Sequence, residues 1–343
     1  MELNKLGEYG LIERIRGYLR KKKHRRLKPS HSCFRAVIGP GDDCAAVSLP
    51  SGGKVLLFST DTLAEGTHFR LGWAKTTGVK EFWKYLGCKA VAVNLGDIAA
   101  MGCAKPLFYL VNIGLPGSMN TGCIDMLYSG MEKLSDEFGI ELIGGDTYRS
   151  DKITIAVTII GEADRKLLIL RSGAKPGDSV YVTGAMGGSR AGLEILNSAG
   201  EKKSLGPAEK YLVKRHLCPP VRLKEAWVIA PYASAMMDCS DGLYWSLATL
   251  AKESGAGMEI DIDRIPVSPQ MKAWARSESA DIKSYAVSGG EEYELVFCSG
   301  KTVPLKIGAR QVGVVTRGRE VEYYSCGKKI DASRFRPFLH YKK

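Results

Sequence analysis

Apolar positions along this chain alternate between two periods, and the alternation predicts an α/β protein. Over Leu6–Leu19, Leu11, Ile12, Ile15 and Leu19 fall on one stripe at helical spacing, and Pro29 and Ser30 block any continuation. Val37–Ile38, Val55–Phe58, Leu107–Ile113, Glu141–Ile143 and Ile153–Ile160 are short apolar runs that read as strands. Phe82–Ala100 and Cys123–Phe138 read as helices between them, and Leu115-Pro116-Gly117 reads as a turn. A second set begins after the Lys175-Pro176-Gly177-Asp178 turn. It comprises a strand at Ser179–Thr183, the glycine-rich turn GAMGGSRAG, helices at Ala191–Ser198 and Val221–Ile229, and strands at Ala235–Met237, Met258–Ile262 and Glu294–Phe297. The expected fold is α/β with mixed, α+β-type sheets, in two domains spanning 1–163 and 164–343.

Composition narrows the class. Hydrophobic residues make up 45% and charged residues 25% of 343, as in an ordinary globular protein with a real core. No apolar run reaches the roughly 20 residues that span a bilayer. The N-terminus carries acids and has no apolar signal core, so the expected location is the cytoplasm. Nine cysteines, an odd number without a CxxC pair, fit free thiols better than a disulfide framework or zinc site. Cys44 and Cys239 read as small buried fillers. The net charge is +12, and seven cations crowd residues 20–28. That run has no interleaved aromatics to stack bases, so it reads as a solvated helix end and nucleic acid is not the expected partner.

Against this basic background, six short acidic segments stand among small residues. They are GPGDDCA (39–45), FSTDT (58–62), NLGDIAAMG (94–102), LIGGDTYRS (142–150), MMDCSDGL (236–243) and SGGEEYEL (288–295). Most follow an apolar run, which places their carboxylates near strand ends, where a parallel sheet displays its site residues. Two unit charges ~4 Å apart cost about 4 kcal/mol at an effective dielectric of 20, so such a cluster needs cations, protons or distance. Magnesium is the natural counter-ion, since it takes one or two carboxylates and completes its shell with water and phosphate oxygens. Asp43, Asp61, Asp97, Asp146 and Asp238 are the candidates. Each alone also fits a turn or cap; Asp97 and Asp241 could each cap a helix or sit in its first turn.

Commoner phosphate-binding and nucleophilic designs are missing. Gly300-Lys301-Thr302 ends like a Walker A loop, but Leu295 stands where the first glycine is required. Gly39 and Gly41 begin a GxG that Cys44 breaks, and there is no protein-kinase HRD or DFG set and no GxSxG elbow. GAMGGSRAG suits either a phosphate cradle or tight packing. What remains is metal-assisted positioning.

GPGDDCA, STDTLAEGTHF, KAVAVNLGDIAAMG, LIGGDTYRS, RSGAKPGDSVYVTG, DCSDGL and SGGEEYEL occur in this order. Together they resemble the thiamine-monophosphate kinase family of the aminoimidazole-ribonucleotide-synthetase-like superfamily, from about Leu6 to Phe338. The resemblance implies two α/β domains and a homodimer built through N-terminal strands. It implies direct in-line transfer of the ATP γ-phosphate to thiamine monophosphate, giving thiamine diphosphate, with several magnesium ions. Carried over motif by motif, Asp43, Ser59, Thr60, Asp61, Asp97, Asp146, Asp238 and Asp241 would hold magnesium. Tyr128, Gly145, Asp146, Arg149 and Ser240 would contact ATP. His68, Glu291 and an aromatic near the C-terminus, placed at Phe335, would hold the thiamine end.

The chain departs from the family's usual residues at Pro40, Gly96, Tyr148 and Glu292, none of them an implied magnesium ligand. Two related activities are disfavoured. Aminoimidazole-ribonucleotide synthetase would carry a glycine–threonine–lysine run where STDTLAEGTHF stands. Selenophosphate synthetase would need a reactive cysteine in a glycine-rich loop, and Cys33 lacks the glycines. A basic nucleic-acid-binding protein rests on residues 20–28 alone.

Overall fold

The computed structural model describes residues 10–17, 34–50, 52–198, 204–304 and 308–335. Residues 10–17 are helical, within the span expected for Leu6–Leu19; the basic run at 20–28 and Cys33 lie outside the described residues.

The first half holds strands β1 (Arg35–Ile38), β2 (Ala45–Ser48) and β3 (Lys54–Ala64), helix α1 (Val79–Ala100), strand β4 (Gly102–Leu115), helix α2 (Thr121–Phe138), and strands β5 (Glu141–Arg149) and β6 (Thr154–Leu168). They form one six-stranded sheet in the order β1-β2-β3-β6-β4-β5. The second half follows with β7 (Ser179–Val182), α3 (Gly188–Ser198), α4 (Pro207–Leu217), α5 (Leu223–Ile229), β8 (Ala235–Asp238), α6 (Leu243–Ser254) and β9 (Gly257–Asp261). It closes with α7 (Pro269–Ser277), α8 (Ile282–Ser288), β10 (Leu295–Ser299), β11 (Arg310–Thr316), β12 (Val321–Ser325) and β13 (Lys328–Ile330). Its seven strands lie in the order β13-β12-β9-β11-β7-β10-β8.

The mixed α/β expectation holds, but a parallel sheet displaying acids at its strand ends does not describe this protein. Among the described residues, only β4–β5 and β9–β12 pair strand to strand in parallel; the other named pairs are antiparallel. Parallel neighbours need a crossover, and α2 supplies one between β4 and β5. The acidic segments therefore sit in varied settings. Asp61 lies within β3, which stays paired with β6 as far as Ala64. Asp146 lies within β5, which runs on past the expected Glu141–Ile143 strand through both glycines to Arg149. Asp97 falls in the last turn of α1, and Asp238 ends β8.

Helix α1 is the centre of the molecule. It is buried on nearly every side, as a helix between layers must be. One core cluster joins its Phe82, Leu86, Leu95 and Ile98 to the first sheet and to Leu212, Met236, Leu295 and Phe297 of the second half. Two glycines let α1 and α2 meet backbone to backbone. A Cβ on Gly87 would lie 1.9 Å from the Leu127 carbonyl oxygen, and one on Gly130 would lie 2.0 Å from that of Lys84. Asn120 caps α2 by accepting the Gly122 N–H at 2.8 Å, and Gly139 ends it at φ 63°. Truncating a fully buried side chain such as Leu86 to alanine should cost about 2–5 kcal/mol. Cys44 and Cys239 are buried fillers as expected, each in a different core cluster.

Candidate active site

Three of the expected carboxylates converge from three distant parts of the chain. Asp43 follows the Gly39–Asp42 loop, Asp97 comes from α1, and Asp238 comes from the second half. One oxygen of each lies within 4.8 Å of the other two. Asp43 and Asp238 are only 8% and 2% exposed, so water does little to relieve their repulsion.

The electrostatics record that crowding. Burial pushes Asp97 well above the usual carboxylate range, and the charges of Asp61, Asp238 and Asp43 add to the rise. Asp97 also lies at a helix C-terminus, the end that disfavours an anion. Burial and then Asp43 push Asp238 up as well. Burial and the adjacent Asp43 raise Asp42 to about 6. The Ser59 hydroxyl donates to Asp97, and burial raises Asp61 as well. One cation answers from the protein itself: Arg171 Nη2 donates to Asp43 Oδ1 at 2.7 Å. The other oxygen, Asp43 Oδ2, is buried and has no hydrogen-bond partner among the described residues. Hard oxygen donors, excess negative charge and an orphaned carboxylate oxygen fit a divalent cation such as magnesium.

Local structure explains which neighbours join. Side chains alternate along β3, so Ser59 and Asp61 share a face while Thr60 points to the other. Thr60 donates its hydroxyl to the Val157 carbonyl at 3.2 Å and accepts from Thr158 at 3.0 Å, both on β6. Asp61 is held through its backbone N–H by Asn94 Oδ1 at 3.1 Å, from the buried face of α1. Asp241 lies near enough to Asp238 for its charge to raise it. Asp146, Gly145 and Arg149 stand together on exposed β5, outside the three-carboxylate cluster. At Gly145 a Cβ would sit 1.8 Å from the Val111 carbonyl oxygen, so only glycine lets β5 approach β4 there. Tyr128 is half-buried on α2 against the main core.

A second polar group adjoins the cluster. Glu291 receives the fully buried Lys89 at 2.6 Å on Oε1, and its Oε2 lies 3.6 Å from His216 Nδ1. His68 Nδ1 accepts the Ala64 N–H at 3.0 Å, leaving the proton of the neutral ring on Nε2. Ser240 accepts the Glu291 N–H through its carbonyl at 2.5 Å, which ties this group to the Asp238 segment. Phe335 is elsewhere: it is 4% exposed and packs edge-on against Tyr323, 5.2 Å between rings, in the core of the second half.

Sequence reasoning missed Arg171, Asn94, Lys89 and His216. RSGAKPGD was noticed as a motif, but its arginine received no role. Lys89 and Asn94 were hidden in the run KAVAVN, where one lysine and one asparagine interrupt an apolar helix. An interruption of that kind on a buried face is the signal that would have found them.

The fold and carboxylate site place the chain among the AIR synthase related proteins. The model of their N-terminal domain matches residues 41–163, and that of their C-terminal domain matches residues 175–324. Within that class the chain belongs to the thiamine-monophosphate kinase family. It is 35% identical to thiamine-monophosphate kinase of Aquifex aeolicus over 98% of this chain and 100% of that protein. It is 36% identical to the Escherichia coli enzyme over 90% of this chain and 86% of that one. The solved structure of AaThiL complexed with AMPPCP and TMP superposes with a TM-score of 0.82 at 34% identity, covering 99% of both chains. Among the described residues, no helix is long and apolar enough to cross a membrane.

Proposed function

We propose that this chain transfers the γ-phosphate of ATP in line to the phosphate of thiamine monophosphate, giving thiamine diphosphate. The observation that carries the mechanism is the convergence of Asp43, Asp97 and Asp238 within 4.8 Å from both halves of the chain. Magnesium bound there would neutralise phosphate charge and bridge the nucleotide to the site. Ser59 fixes the Asp97 carboxylate, and Arg171 fixes Asp43. Asp61, Asp146 and Asp241 extend the acidic surface for further magnesium. Gly145, Arg149, Ser240 and Tyr128 are assigned to the nucleotide; the Arg149 fork suits phosphate oxygens. His68 and Glu291 are assigned to the thiamine end, where a carboxylate suits a thiazolium cation. Phe335 is assigned no contact, because its ring is used in the core.

No covalent nucleophile is required. Phosphoryl transfer depends on positioning and charge neutralisation, and the site offers both. A homodimer is also part of this reading. All nine residues of the β5 edge are exposed, including Leu142 at 38% and Ile143 at 50%, which supports pairing with a second copy.

The test is direct. The pure protein with ATP, magnesium and thiamine monophosphate should yield thiamine diphosphate. No product across a range of magnesium overturns the substrate assignment. With ATP chiral at the γ-phosphorus, a single in-line transfer gives inversion; retention would mean a covalent phosphoenzyme and sink the mechanism.

A further inference from the structure

We infer that Lys89 is a positioning residue for substrate: its buried ammonium reaches from α1 across the domain interface and fixes the Glu291 carboxylate so that one oxygen stays free for a cationic ring. The inference rests on the assignment of Glu291 to the thiamine end.

A lysine at 0% exposure inside a helix is costly. Taking an ammonium out of water costs several kcal/mol, which a single well-placed anion offsets only in good geometry. Lys89 Nζ has an anion at 2.6 Å in Glu291 Oε1, an ion pair in which neither atom makes a hydrogen bond to the described residues. The two residues belong to different halves of the chain, so the pair joins the domains at the site.

Glu291 is itself held in an unusual conformation. Its φ is +58°, in the left-handed region that side chains rarely adopt. Its N–H donates to the Ser240 carbonyl at 2.5 Å, and the next two N–H groups donate to the Cys239 carbonyl at 3.2 and 2.9 Å. The backbone thus sets where the side chain starts, and Lys89 sets where it ends. Oε1 is committed to Lys89. Oε2 lies 3.6 Å from His216 Nδ1, but that nitrogen is already bonded to Ser189 Oγ at 3.0 Å. The His216 ring is held neutral by burial, so it does not cancel the carboxylate charge. The Glu291 side chain keeps 23% exposure, unlike Lys89.

The same helix carries Asp97, eight residues further on and roughly 12 Å along the axis. One rigid element therefore presents a metal-site carboxylate at one point and orients the substrate carboxylate at another. This geometry does more than fill a core position. An apolar residue at 89 would leave a strained, half-buried glutamate free to change rotamer or take up a proton.

The experiment is a double-mutant cycle with Lys89→Met, Glu291→Gln and the pair together. Each protein is assayed for kcat and for KM of both substrates, with calorimetric binding of thiamine monophosphate alone as a second readout. Lys89→Met should raise KM for thiamine monophosphate about tenfold or more, the size of a lost charge-assisted bond, with KM for ATP unchanged. In the Glu291→Gln background the same change should add nothing. Independent, multiplying effects would overturn the inference, as would an equal rise in KM for ATP. If Lys89→Met does not fold, the double variant still decides. It buries no orphaned charge, and weaker binding of thiamine monophosphate than in Glu291→Gln alone would overturn the inference. A wild-type protein inactive on thiamine monophosphate would instead overturn the assignment beneath it.

Discussion

Arg171 meets Asp43 at 2.7 Å and so joins the segment between the two sheets to the carboxylate cluster. Its backbone N–H also faces both oxygens of Asp42 at 3.4 Å. The guanidinium is the cluster's built-in counter-ion. Arg171→Met leaves Asp43 buried without that charge, a change that typically costs about 3–5 kcal/mol. In EDTA the variant should melt well below the wild type. Magnesium should recover part of the loss, so its stabilising effect should be larger in the variant. Equal melting in EDTA would show that Arg171 does not serve this role.

Asp97 gives the opposite result without metal. Its carboxylate is raised by burial and by three neighbouring acids, so its charge opposes folding. Asp97→Asn should melt no lower than the wild type in EDTA. It should respond less to magnesium, because a ligand is gone. Formation of thiamine diphosphate should fall by about 100-fold or more, at or beyond the upper end for losing even an outer partner of a metal site. Near-normal turnover would remove Asp97 from the site.

How much of this was legible beforehand depends on the kind of pattern. Helix α1 and strand β6 were clear, because long periodic or β-branched runs leave little choice. The edge of β5 was not. Gly144 and Gly145 look like a turn, and their extended course is imposed by pairing with β4, a contact no local pattern records. The acids were recognisable as a set, but their settings were not. Asp97 was legible as a helix residue but suited the opening of a helix and lies in the last turn of one; Thr60 looked like its neighbours and faces the other way. The counter-ions were harder still. Lys89 and Arg171 acquire their meaning only from partners 202 and 128 positions distant in sequence, Glu291 and Asp43.

His216 makes acid stability testable. Burial and the nearby Lys89 depress it to about 3, from an ordinary value near 6.5. A base with a depressed folded value is protonated first in the unfolded chain. Its contribution is therefore complete above about pH 6.5 and is lost as pH falls towards 3, at up to roughly 1.4 kcal/mol per unit. Glu292, raised from 4.5 to about 7 by burial, works in the opposite sense over an overlapping range. The comparison must be a difference between proteins. The wild type should lose more stability between pH 7 and 5 than His216→Gln, by about one proton's worth. Parallel urea-unfolding profiles would contradict the neutral buried ring.

Two glycines in the motifs should respond to alanine in opposite ways. At Gly145 the new Cβ would lie 1.8 Å from the Val111 carbonyl oxygen, with φ at +154°. Neither the backbone of β4 nor that of β5 can yield without breaking their pairing, so Gly145→Ala should lose nucleotide binding and melt earlier. At Gly96 the new Cβ would meet Asp238 Oδ2 and the Tyr293 ring at 3.6 Å, ordinary contact distances. The position is inside α1, where alanine is favoured over glycine by up to about 1 kcal/mol. Gly96→Ala should therefore raise the melting temperature. A fall would mean that the space beside Asp238 is needed empty, and would make Gly96 part of the site.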